Sequence, residues 1–438
     1  MVSASFRSAI QGAKKELGEL NALIHSNPEL GYQEHKAHNA FVATLEKLGF
    51  SVTPHAYGVP TSFEAEYGHG GRLVVFNAEY DALPGIGHAC GHNLMGTLSL
   101  AAFLAIAAEL KASGLPGRVR VLGTPAEEGG AGKALLICKG AYESVDACFM
   151  AHPAPLYAEY SEDYHGMAFM PNLSVGSVRI SFTGKEAHAG FAPWQGINAL
   201  DAVVLGYSGV SMMRQQIEPT ERVHGIIVNG GVKNNIIPNH SVVDYAVRAP
   251  SISKTIALRE RLIDCYEGAA KATHCQINVE RGRVYAELQP NQSLCALFAE
   301  VVGDLGIPMM CDFKTGIVNG GATDQGNVSY VVPSIHPVYG IQAGVGEFNH
   351  TVGFTKASGT KWALDRSLLV AEGLASTAWK VLADDVVASR VREEFEKTKR
   401  GRIAAGEDVS TEFLGSFDED AFIEAGIAPV PCSCGHGK

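Results

Sequence analysis

The segment RLVVFN at Arg72–Asn77 is a continuous apolar run, which is typical of a β-strand buried on both faces. Two similar segments follow along the chain, RVRVLG at Arg118–Gly123 and ACFMA at Ala147–Ala151. Helical patterns separate the three strands: an alanine- and leucine-rich helix at Leu94–Ala112 and a shorter helix at about Gly132–Lys139. Strands that alternate with helices predict an α/β domain with a mostly parallel sheet and flanking helices.

The pattern changes near residue 175, where SVRISF at Ser177–Phe182 alternates polar and apolar residues as a half-exposed antiparallel strand does. Further strands are predicted at Val223–Asn229, Val242–Arg248 and Gln276–Gly282, and helices at about Ala199–Arg214 and Lys254–Thr273. The resulting order β-α-β-β-α-β predicts a ferredoxin-like α+β domain of about a hundred residues.

These patterns predict one discontinuous domain with a smaller domain inserted into it. Residues 1–175 and 290–400 form the discontinuous α/β domain, and residues 176–289 form the inserted domain. Residues 401–438 are predicted to be a poorly packed C-terminal tail, because they are charged at first and then rich in glycine and proline.

Three smaller features complete the prediction. Residues 5–50 are expected to form two helices that are broken at Asn27-Pro28, and Tyr330–Ile335 is expected to be a strand. The tail carries Cys432, Cys434 and His436. We interpret these three residues as an exposed end, since a structural zinc site needs four converging ligands.

Composition limits the class of protein. The 438 residues include 35 Lys and Arg and 46 Asp and Glu, a formal net charge of −11, which argues against a nucleic-acid-binding surface. We see no apolar run near the ~18 residues of a membrane helix, and no signal peptide. The nine cysteines are scattered, which is typical of free thiols in a reducing compartment. These observations predict a cytoplasmic protein that acts without a membrane or a nucleic acid.

Residues suited to metal chemistry follow the predicted strands, where α/β sheets bind their ligands. Each motif is weak alone, because a lone loop histidine or an isolated Glu-Glu pair is more often structural or simply exposed. Together they offer nitrogen, oxygen and sulfur donors for two adjacent metal ions. The donors are Cys90, His92, Glu128, His152 and His350.

Glu127 is left over as a general base beside this donor set. Paired metals can polarise a carbonyl and lower the pKa of a water, which is the chemistry that amide hydrolysis needs. The inserted domain offers candidates for substrate contacts. His188 lies just past a strand, Asn235 lies in a loop, and Arg248 ends a strand, where it could bind a carboxylate. By spacing alone, each of the three is more often a structural residue.

Several motifs in this order strongly resemble one family over roughly residues 20–390. The motifs are Asn27-Pro28-Glu29-Leu30-Gly31, Asp81-Ala82-Leu83-Pro84, His88-Ala89-Cys90-Gly91-His92-Asn93, Glu127-Glu128, His152-Pro153, Gly184 to Gly190, Asn235 to Pro238 and Thr323-Asp324 to Ser329. The family is that of the metallopeptidases that include aminoacylases, glutamate carboxypeptidases and indole-acetyl-amino-acid hydrolases. Glu79-Tyr80 and Asn93 are most similar to the branch of aminobenzoyl-glutamate hydrolases and dipeptidases acting on basic dipeptides.

The resemblance implies a catalytic domain with two divalent metal ions, zinc or manganese with cobalt as an alternative, and a lid domain through which the chain forms a homodimer. It implies that Cys90, His92, Glu128, His152 and His350 are metal ligands, with Glu127 the general base and Asp81 a carboxylate that orients a ligand. It also implies that His188 stabilises the oxyanion, while Asn235 and Arg248 hold the carboxylate end of a small amide substrate.

The sequence therefore predicts a metal-dependent amidohydrolase that cleaves an N-acyl amino acid or a dipeptide with a metal-activated water. Two alternatives stay open at this stage. One is an enzyme that hydrolyses or forms a specialised amide in a biosynthetic or detoxifying pathway. The other is a scaffold that binds a small molecule without catalysis, although no ligand or base of the motif is missing.

Overall fold

The computed structural model describes residues 4–156, 163–314 and 320–407. The predicted tail lies outside the described residues from residue 408 onward, with Cys432, Cys434 and His436, whereas its first four residues belong to a helix that ends at Ala404. Contacts between Cα atoms divide the chain into two compact units. The inserted unit consists of Asn172–Glu287 with Gly320–Ala322, and the described residues outside these ranges form the main unit.

The helices and strands, in chain order, have the following bounds. The helices are α1 (Ala4–Gly12), α2 (Lys14–Ser26), α3 (His35–Lys47), α4 (His92–Ser113), α5 (Glu127–Gly130), α6 (Gly132–Cys138), α7 (Ala199–Met213), α8 (Ile252–Thr273), α9 (Gln292–Asp304), α10 (Gln325–Val331), α11 (Val352–Ser358), α12 (Lys361–Ala383) and α13 (Asp385–Ala404). The strands are β1 (Thr53–Pro54), β2 (Phe63–His69), β3 (Arg72–Ala78), β4 (Gly117–Gly123), β5 (Ala147–Phe149), β6 (His152–Pro155), β7 (Gly166–Met167), β8 (Ser174–Thr183), β9 (Arg222–Asn229), β10 (His240–Ala249), β11 (Gln276–Tyr285), β12 (Ser334–Ile335) and β13 (Val338–Ile341).

The main unit is built around a six-stranded sheet in the order β1-β2-β4-β3-β5-β12. Strands β4, β3, β5 and β12 run parallel, and β1 and β2 add an antiparallel edge. The apolar run of β3 is buried from its second residue onward because the strand lies in the middle of the sheet. The predicted α/β fold with a mostly parallel sheet and flanking helices is confirmed.

Helix α4 is the central helix of the main unit, and it is apolar around most of its circumference. In the described part of the chain it is the one helix long and apolar enough to span a membrane, with 89% of its apolar window buried inside the protein. From the sequence we expected no apolar stretch as long as a membrane helix, and α4 shows that this expectation was wrong. A helix packed on all sides by α1, α2, α12 and the sheet has the same composition, because it has no polar face to show to water.

Three local expectations differ from the structure. Residues 5–50 form three helices, since the chain also breaks at Ala13 between α1 and α2. The predicted strand at Tyr330–Ile335 is the end of α10 followed by the two-residue strand β12, because a short apolar run has the same pattern in a buried helix and in a buried strand. A small third sheet, β6-β13-β7, was not predicted at all.

The inserted unit is a four-stranded antiparallel sheet in the order β11-β8-β10-β9, with α7 and α8 packed on it. Its elements follow the order β8-α7-β9-β10-α8-β11, so the predicted β-α-β-β-α-β arrangement is confirmed. The core between helices and sheet includes the aromatic side chains of Phe182, Tyr245 and Tyr266, all almost fully buried.

Candidate active site

The predicted metal donors of the main unit lie where the parallel strands end. The loop after β3 carries Asp81 and leads through Cys90 to His92, the first residue of α4. Glu127 and Glu128 follow β4 within five residues, and His152 starts β6 just after β5. Because the carboxyl ends of parallel strands meet at one edge of the sheet, these loops are brought together there.

The donor atoms converge into three overlapping groups, in each of which they lie within 4.8 Å of one another. The groups are Cys90, His92 and His152; Cys90, Glu128 and His350; and His92, Glu127 and Glu128. Each of the five predicted ligands belongs to at least one group, and Cys90, His92 and Glu128 each belong to two. The structure therefore brings together all five residues, with Glu127 beside them.

Direct contacts link the donors in pairs. Cys90 Sγ lies 3.2 Å from His152 Nε2, and Glu128 Oε1 lies 3.3 Å from His350 Nε2. The other ring nitrogen of His152 faces the carbonyl oxygen of Pro153 at 2.7 Å, which leaves Nε2 for the site. These contacts pair a soft sulfur donor with one imidazole and a carboxylate donor with another.

Asp81 holds two donors at once. Its Oδ1 lies 3.0 Å from His92 Nδ1, and its Oδ2 accepts a hydrogen bond of 2.8 Å from the backbone N–H of Glu128. His92 Nε2 is fully buried and has no hydrogen-bond partner among the described residues. A carboxylate on one ring nitrogen and an unbonded second nitrogen is the usual arrangement of a histidine that binds a metal.

Two backbone features bring the loops this close. Gly91 has φ +83°, and a Cβ added there would lie 2.5 Å from the Pro153 ring, so only glycine lets the Cys90 loop pass the His152 strand. His350 also has a positive φ, +65°, and its N–H donates to the carbonyl oxygen of Ala89 at 2.8 Å. These contacts carry His350 from the loop before α11 to the donors around Cys90.

Burial disfavours the charged form of the donors. It raises the pKa of the Cys90 thiol, an effect that the nearby Glu128 carboxylate increases, and it lowers the pKa of His152 to about 4. Burial, together with Glu79 and Glu128, raises the pKa of Glu127 well above its usual range. A divalent cation counteracts the effect of burial on the thiol and the carboxyl groups, because it stabilises the thiolate and carboxylate forms, and the lowered pKa of His152 already favours the neutral imidazole that binds a metal. The donor set therefore fits a metal centre.

Sequence reasoning assigned no role to a buried ionic cluster next to the donors. The ammonium of Lys133, in α6, binds both Glu79 Oε1 and Asp324 Oδ1, and all three side chains are buried. The second oxygen of Glu79 lies 3.4 Å from His92 Nε2. The signal was present, since a lysine in an apolar helix directly after the Glu-Glu motif must be paired when it is buried.

His336 is a second residue without an assigned role. It follows β12, is buried, and its ring centroid lies 5.6 Å from that of His152. Its Nε2 has no hydrogen-bond partner among the residues that the structure describes. Only the order of the strands in the folded sheet brings β12 beside β5, so its position next to His152 was not visible in the spacing.

The other three predicted site residues belong to the inserted unit. His188 and Asn235 are exposed and lie on neighbouring segments, since the N–H of Ala189 donates to the carbonyl oxygen of Asn235 at 3.1 Å. Arg248, on β10, is half-buried, and its Nη1 donates to the carbonyl oxygen of Gly320 at 2.8 Å. Within this unit, the structure therefore brings together His188 and Asn235, whereas Arg248 contacts other residues.

Thiol, imidazole and carboxylate donors gathered at the carboxyl edge of an α/β sheet define a metal-dependent hydrolase. Comparison with known families identifies the group more closely. The profile of the peptidase family M20/M25/M40 matches residues 75–351, more than half of the chain, and the chain belongs to this family. The predicted resemblance is thus confirmed, and the protein is a metallo-amidohydrolase of a family that acts on dipeptides and N-acyl amino acids.

Curated relatives match most of the chain. An Xaa-Arg dipeptidase from Mus musculus is 42% identical over 402 residues, which cover 88% of this chain and 90% of the relative. A p-aminobenzoyl-glutamate hydrolase chain from Escherichia coli is 30% identical over 318 residues, covering 68% of this chain and 64% of that protein. Both names belong to the branch that the motifs around Asp81 and Cys90 indicated.

Solved structures share the fold. A dinuclear metal-binding peptidase of the M20 family from Bacillus subtilis superposes with a TM-score of 0.59 at 20% identity, covering 84% of this chain and 99% of that chain. An aminobenzoyl-glutamate utilization protein from Klebsiella pneumoniae gives a TM-score of 0.66 at 16% identity, covering 86% and 99%. At these identities the likeness concerns the fold alone.

The two contacts of Asp81 generate a prediction about metal affinity. Asp81→Ala removes the carboxylate that faces His92 and accepts the N–H of Glu128, and it leaves only the carbonyl oxygen of residue 81 beside His92 Nδ1, so we expect metal affinity to fall about 10- to 100-fold. Competition with a chromophoric chelator measures it. The matched control is Asp146→Ala, whose carboxylate accepts a hydrogen bond from Leu73 N at the opposite end of β3, and it should lose stability while keeping metal affinity. Equal metal affinity in wild type and Asp81→Ala would contradict the assignment.

Proposed function

We propose that this protein is a dipeptidase that removes a C-terminal basic residue, arginine above all, from a dipeptide. The observation that carries the hydrolytic part is the convergence of five metal donors beside the carboxylate of Glu127. The similarity to Xaa-Arg dipeptidases over 88% of the chain supports the choice of substrate. The family membership supports hydrolysis over the formation of an amide or binding alone.

The donors would hold two divalent ions. Cys90, His92 and His152 would hold one ion, and Glu128 and His350, grouped with Cys90, would hold the other. When bound, the two ions polarise the scissile carbonyl and lower the pKa of a water. We favour zinc over manganese, because thiolate and imidazole are softer ligands than the carboxylates that manganese prefers.

Glu127 is the general base in this proposal. Its Oε2 lies 3.9 Å from His92 Nε2, at the edge of the donor cluster, and its carboxyl group is largely buried. It takes the proton from the attacking water and passes it to the nitrogen of the leaving amino acid. Glu127 also belongs to one of the three groups of metal donors, so the variant Glu127→Gln distinguishes a general base from a metal ligand.

The inserted unit supplies the substrate contacts in this proposal. His188 Nδ1 accepts hydrogen bonds from the N–H groups of Gly190 and Phe191 at 3.2 and 3.1 Å, which fixes the ring and leaves Nε2–H as a donor. A neutral imidazole donor of this kind suits the developing oxyanion. Asn235 and Arg248 hold the carboxylate of the C-terminal residue, as the family resemblance implies.

Glu127→Gln tests the role of the base. It keeps the shape of the side chain but cannot accept the proton, so we expect kcat to fall about 10²- to 10⁴-fold. Metal content, measured by mass spectrometry after dialysis, should stay at two equivalents. The control is Glu143→Gln, an exposed carboxylate of the same unit, which should leave kcat unchanged. Loss of one metal equivalent from Glu127→Gln would make Glu127 a ligand, and unchanged turnover would refute the mechanism.

A substrate series tests the basic residue. We expect Ala-Arg to be cleaved with a kcat/KM at least about tenfold above that of Ala-citrulline. Citrulline keeps the shape of arginine without its charge, and a tenfold ratio corresponds to the free energy of a weak ion pair. Release of the free amino acid, followed by chromatography, measures both rates. Equal rates for the two dipeptides, or faster cleavage of p-aminobenzoyl-glutamate, would contradict the proposed specificity.

We also propose that the protein is a homodimer formed through the inserted unit. Strand β9 is an edge strand, and its Ile226, Ile227 and Val228 are exposed. Helix α7 of the same unit exposes Val204 and Met212 as well. An apolar edge strand left uncovered invites pairing with another strand, so a second copy of the chain is the partner that we assign to this face.

Ile226→Glu combined with Met212→Glu tests the dimer. Two charges on the apolar face should convert the dimer into a monomer, which sedimentation velocity or light scattering detects. The control is Val386→Glu, which replaces a valine that is 76% exposed on α13 of the main unit, and it should leave the mass unchanged. A monomeric wild type, or a dimer that persists in the double variant, would contradict this interface.

The compartment stays part of the proposal. Among the described residues Cys90, Cys148 and Cys295 are buried free thiols. Free thiols persist in a reducing compartment, which supports the expected location in the cytoplasm.

A further inference from the structure

The segment Glu29–Glu34, which joins α2 to α3, lies against both loops that carry the donors. The carbonyl oxygen of Glu29 accepts a hydrogen bond from the N–H of Ala82 at 2.8 Å, next to Asp81. The hydroxyl of Tyr32 donates to the carbonyl oxygen of Gly130 at 2.8 Å, at the end of the turn that begins with Glu127. This segment contributes no proposed metal ligand, but its hydrogen bonds support the loops on either side of the site.

Glu34 makes the most direct of these contacts. Its side chain is fully buried, and its Oε1 accepts a hydrogen bond of 2.8 Å from the backbone N–H of Ala126. Its Oε2 accepts one of 2.7 Å from the hydroxyl of Thr61. Ala126 is the residue directly before Glu127, so the carboxyl of Glu34 is one peptide unit away from the proposed general base.

Ala126 needs this support because of its backbone conformation. Its φ of +59° and ψ of +45° lie in the left-handed region, which residues with a Cβ rarely adopt. The space around it is also fixed, since a Cβ added to Gly31 would lie 2.8 Å from the Cβ of Ala126. Without an acceptor for its N–H, Ala126 could relax to an ordinary conformation, and the direction of the following residue would change.

We propose that Glu34 is a positioning residue for hydrolysis: its carboxyl group holds the N–H of Ala126 and thereby fixes the direction from which Glu127 reaches the water. This inference rests on the proposed role of Glu127. In this inference Glu34 affects the rate of the chemical step and neither metal binding nor substrate binding. Its carboxyl oxygens bind Ala126 and Thr61, and neither residue is a proposed metal ligand.

The protonation state of Glu34 suggests the right variant. Burial, with the neighbouring carboxylate of Asp81, raises the pKa of Glu34 to about 8. A neutral carboxyl group has the shape of an amide. In Glu34→Gln, Oε1 keeps the hydrogen bond from Ala126, and the amide NH₂ donates to Thr61, whose hydroxyl rotates to accept it.

The experiment compares Glu34→Ala with Glu34→Gln at full metal loading. In Glu34→Ala we expect kcat to fall about 10- to 100-fold, with KM and metal affinity within about threefold of wild type, because a displaced base slows the chemical step alone. In Glu34→Gln we expect kcat within about threefold of wild type. This rescue by the amide separates positioning from a need for negative charge.

Glu29→Ala is the matched control in the same segment. The Glu29 carboxylate accepts hydrogen bonds from the N–H groups of Lys36 and Ala37 at the start of α3, while its contact with the site loop is made by the backbone. We expect this variant to lose stability through the lost cap and to keep its kcat. Thermal unfolding is measured for all variants, so a loss of kcat from misfolding is recognised.

Three results would overturn the inference: wild-type kcat in Glu34→Ala, a loss of kcat accompanied by loss of metal, or an equal loss in Glu34→Gln. If Glu34→Ala does not fold, Thr61→Val replaces it, because it removes the hydroxyl that binds Oε2 and keeps a side chain branched at Cβ. Reduced kcat with intact metal affinity in Thr61→Val supports the inference, and wild-type kcat overturns it. Failure of the proposed function itself is seen separately, as undiminished turnover in Glu127→Gln.

Discussion

The buried carboxylate of Asp81 is the constraint on which the site depends. A fully buried carboxylate is costly unless both oxygens are bonded, and here one oxygen faces the His92 ring while the other accepts the N–H of Glu128. Burial alone would raise the pKa of the Asp81 carboxyl, but these partners hold it below its usual range. The loop after β3 and the loop after β4 are therefore joined through one side chain. Neither loop can move without leaving a buried charge unpaired, so the donors that they carry are fixed relative to each other.

The same principle explains why Lys133 lies between Glu79 and Asp324. Replacing a buried ion pair with apolar residues often costs no stability, so this cluster is weak evidence for a stabilising role. Its position is more informative, because Glu79 also faces His92 and raises the pKa of Glu127. Glu79, Asp81, Lys133 and Asp324 are buried charged residues of the main unit, and the apolar core, which includes much of α4, supplies the stability that tolerates them.

Much of this could be predicted from the sequence, and the reason is periodicity. The alternation in SVRISF and the continuous run RLVVFN differ in period, so the inserted unit and the parallel sheet were both predictable. Cys90, His92, Glu128 and His152 were predictable as one site because each follows a strand of that sheet. His350 follows a glycine-rich loop and reaches the site through a left-handed residue, so its motif alone was uninformative and the resemblance supplied it. The apolar helix around Lys133 indicated that this lysine needs a charged partner, but its partner Asp324 lies far away in the sequence. The partners of Glu34 are equally distant, and no local pattern marks that residue.

Backbone strain shows where the fold gives up stability for geometry. Eight non-glycine residues in the described part of the chain have positive φ, and four of them, Tyr32, Ala126, Ala131 and His350, lie in the donor loops or in the segment that supports them. A residue with a Cβ is less stable in this region by about 1–2 kcal/mol, so strain of this kind persists only where surrounding contacts hold it. Those contacts are specific: Glu34 binds the N–H of Ala126, and the carbonyl oxygen of Ala89 binds that of His350. The strained residues and the groups that bind them therefore support the metal ligands directly. At Ala126 and His350 an ordinary backbone conformation would turn the chain differently and carry the neighbouring side chains away from the site.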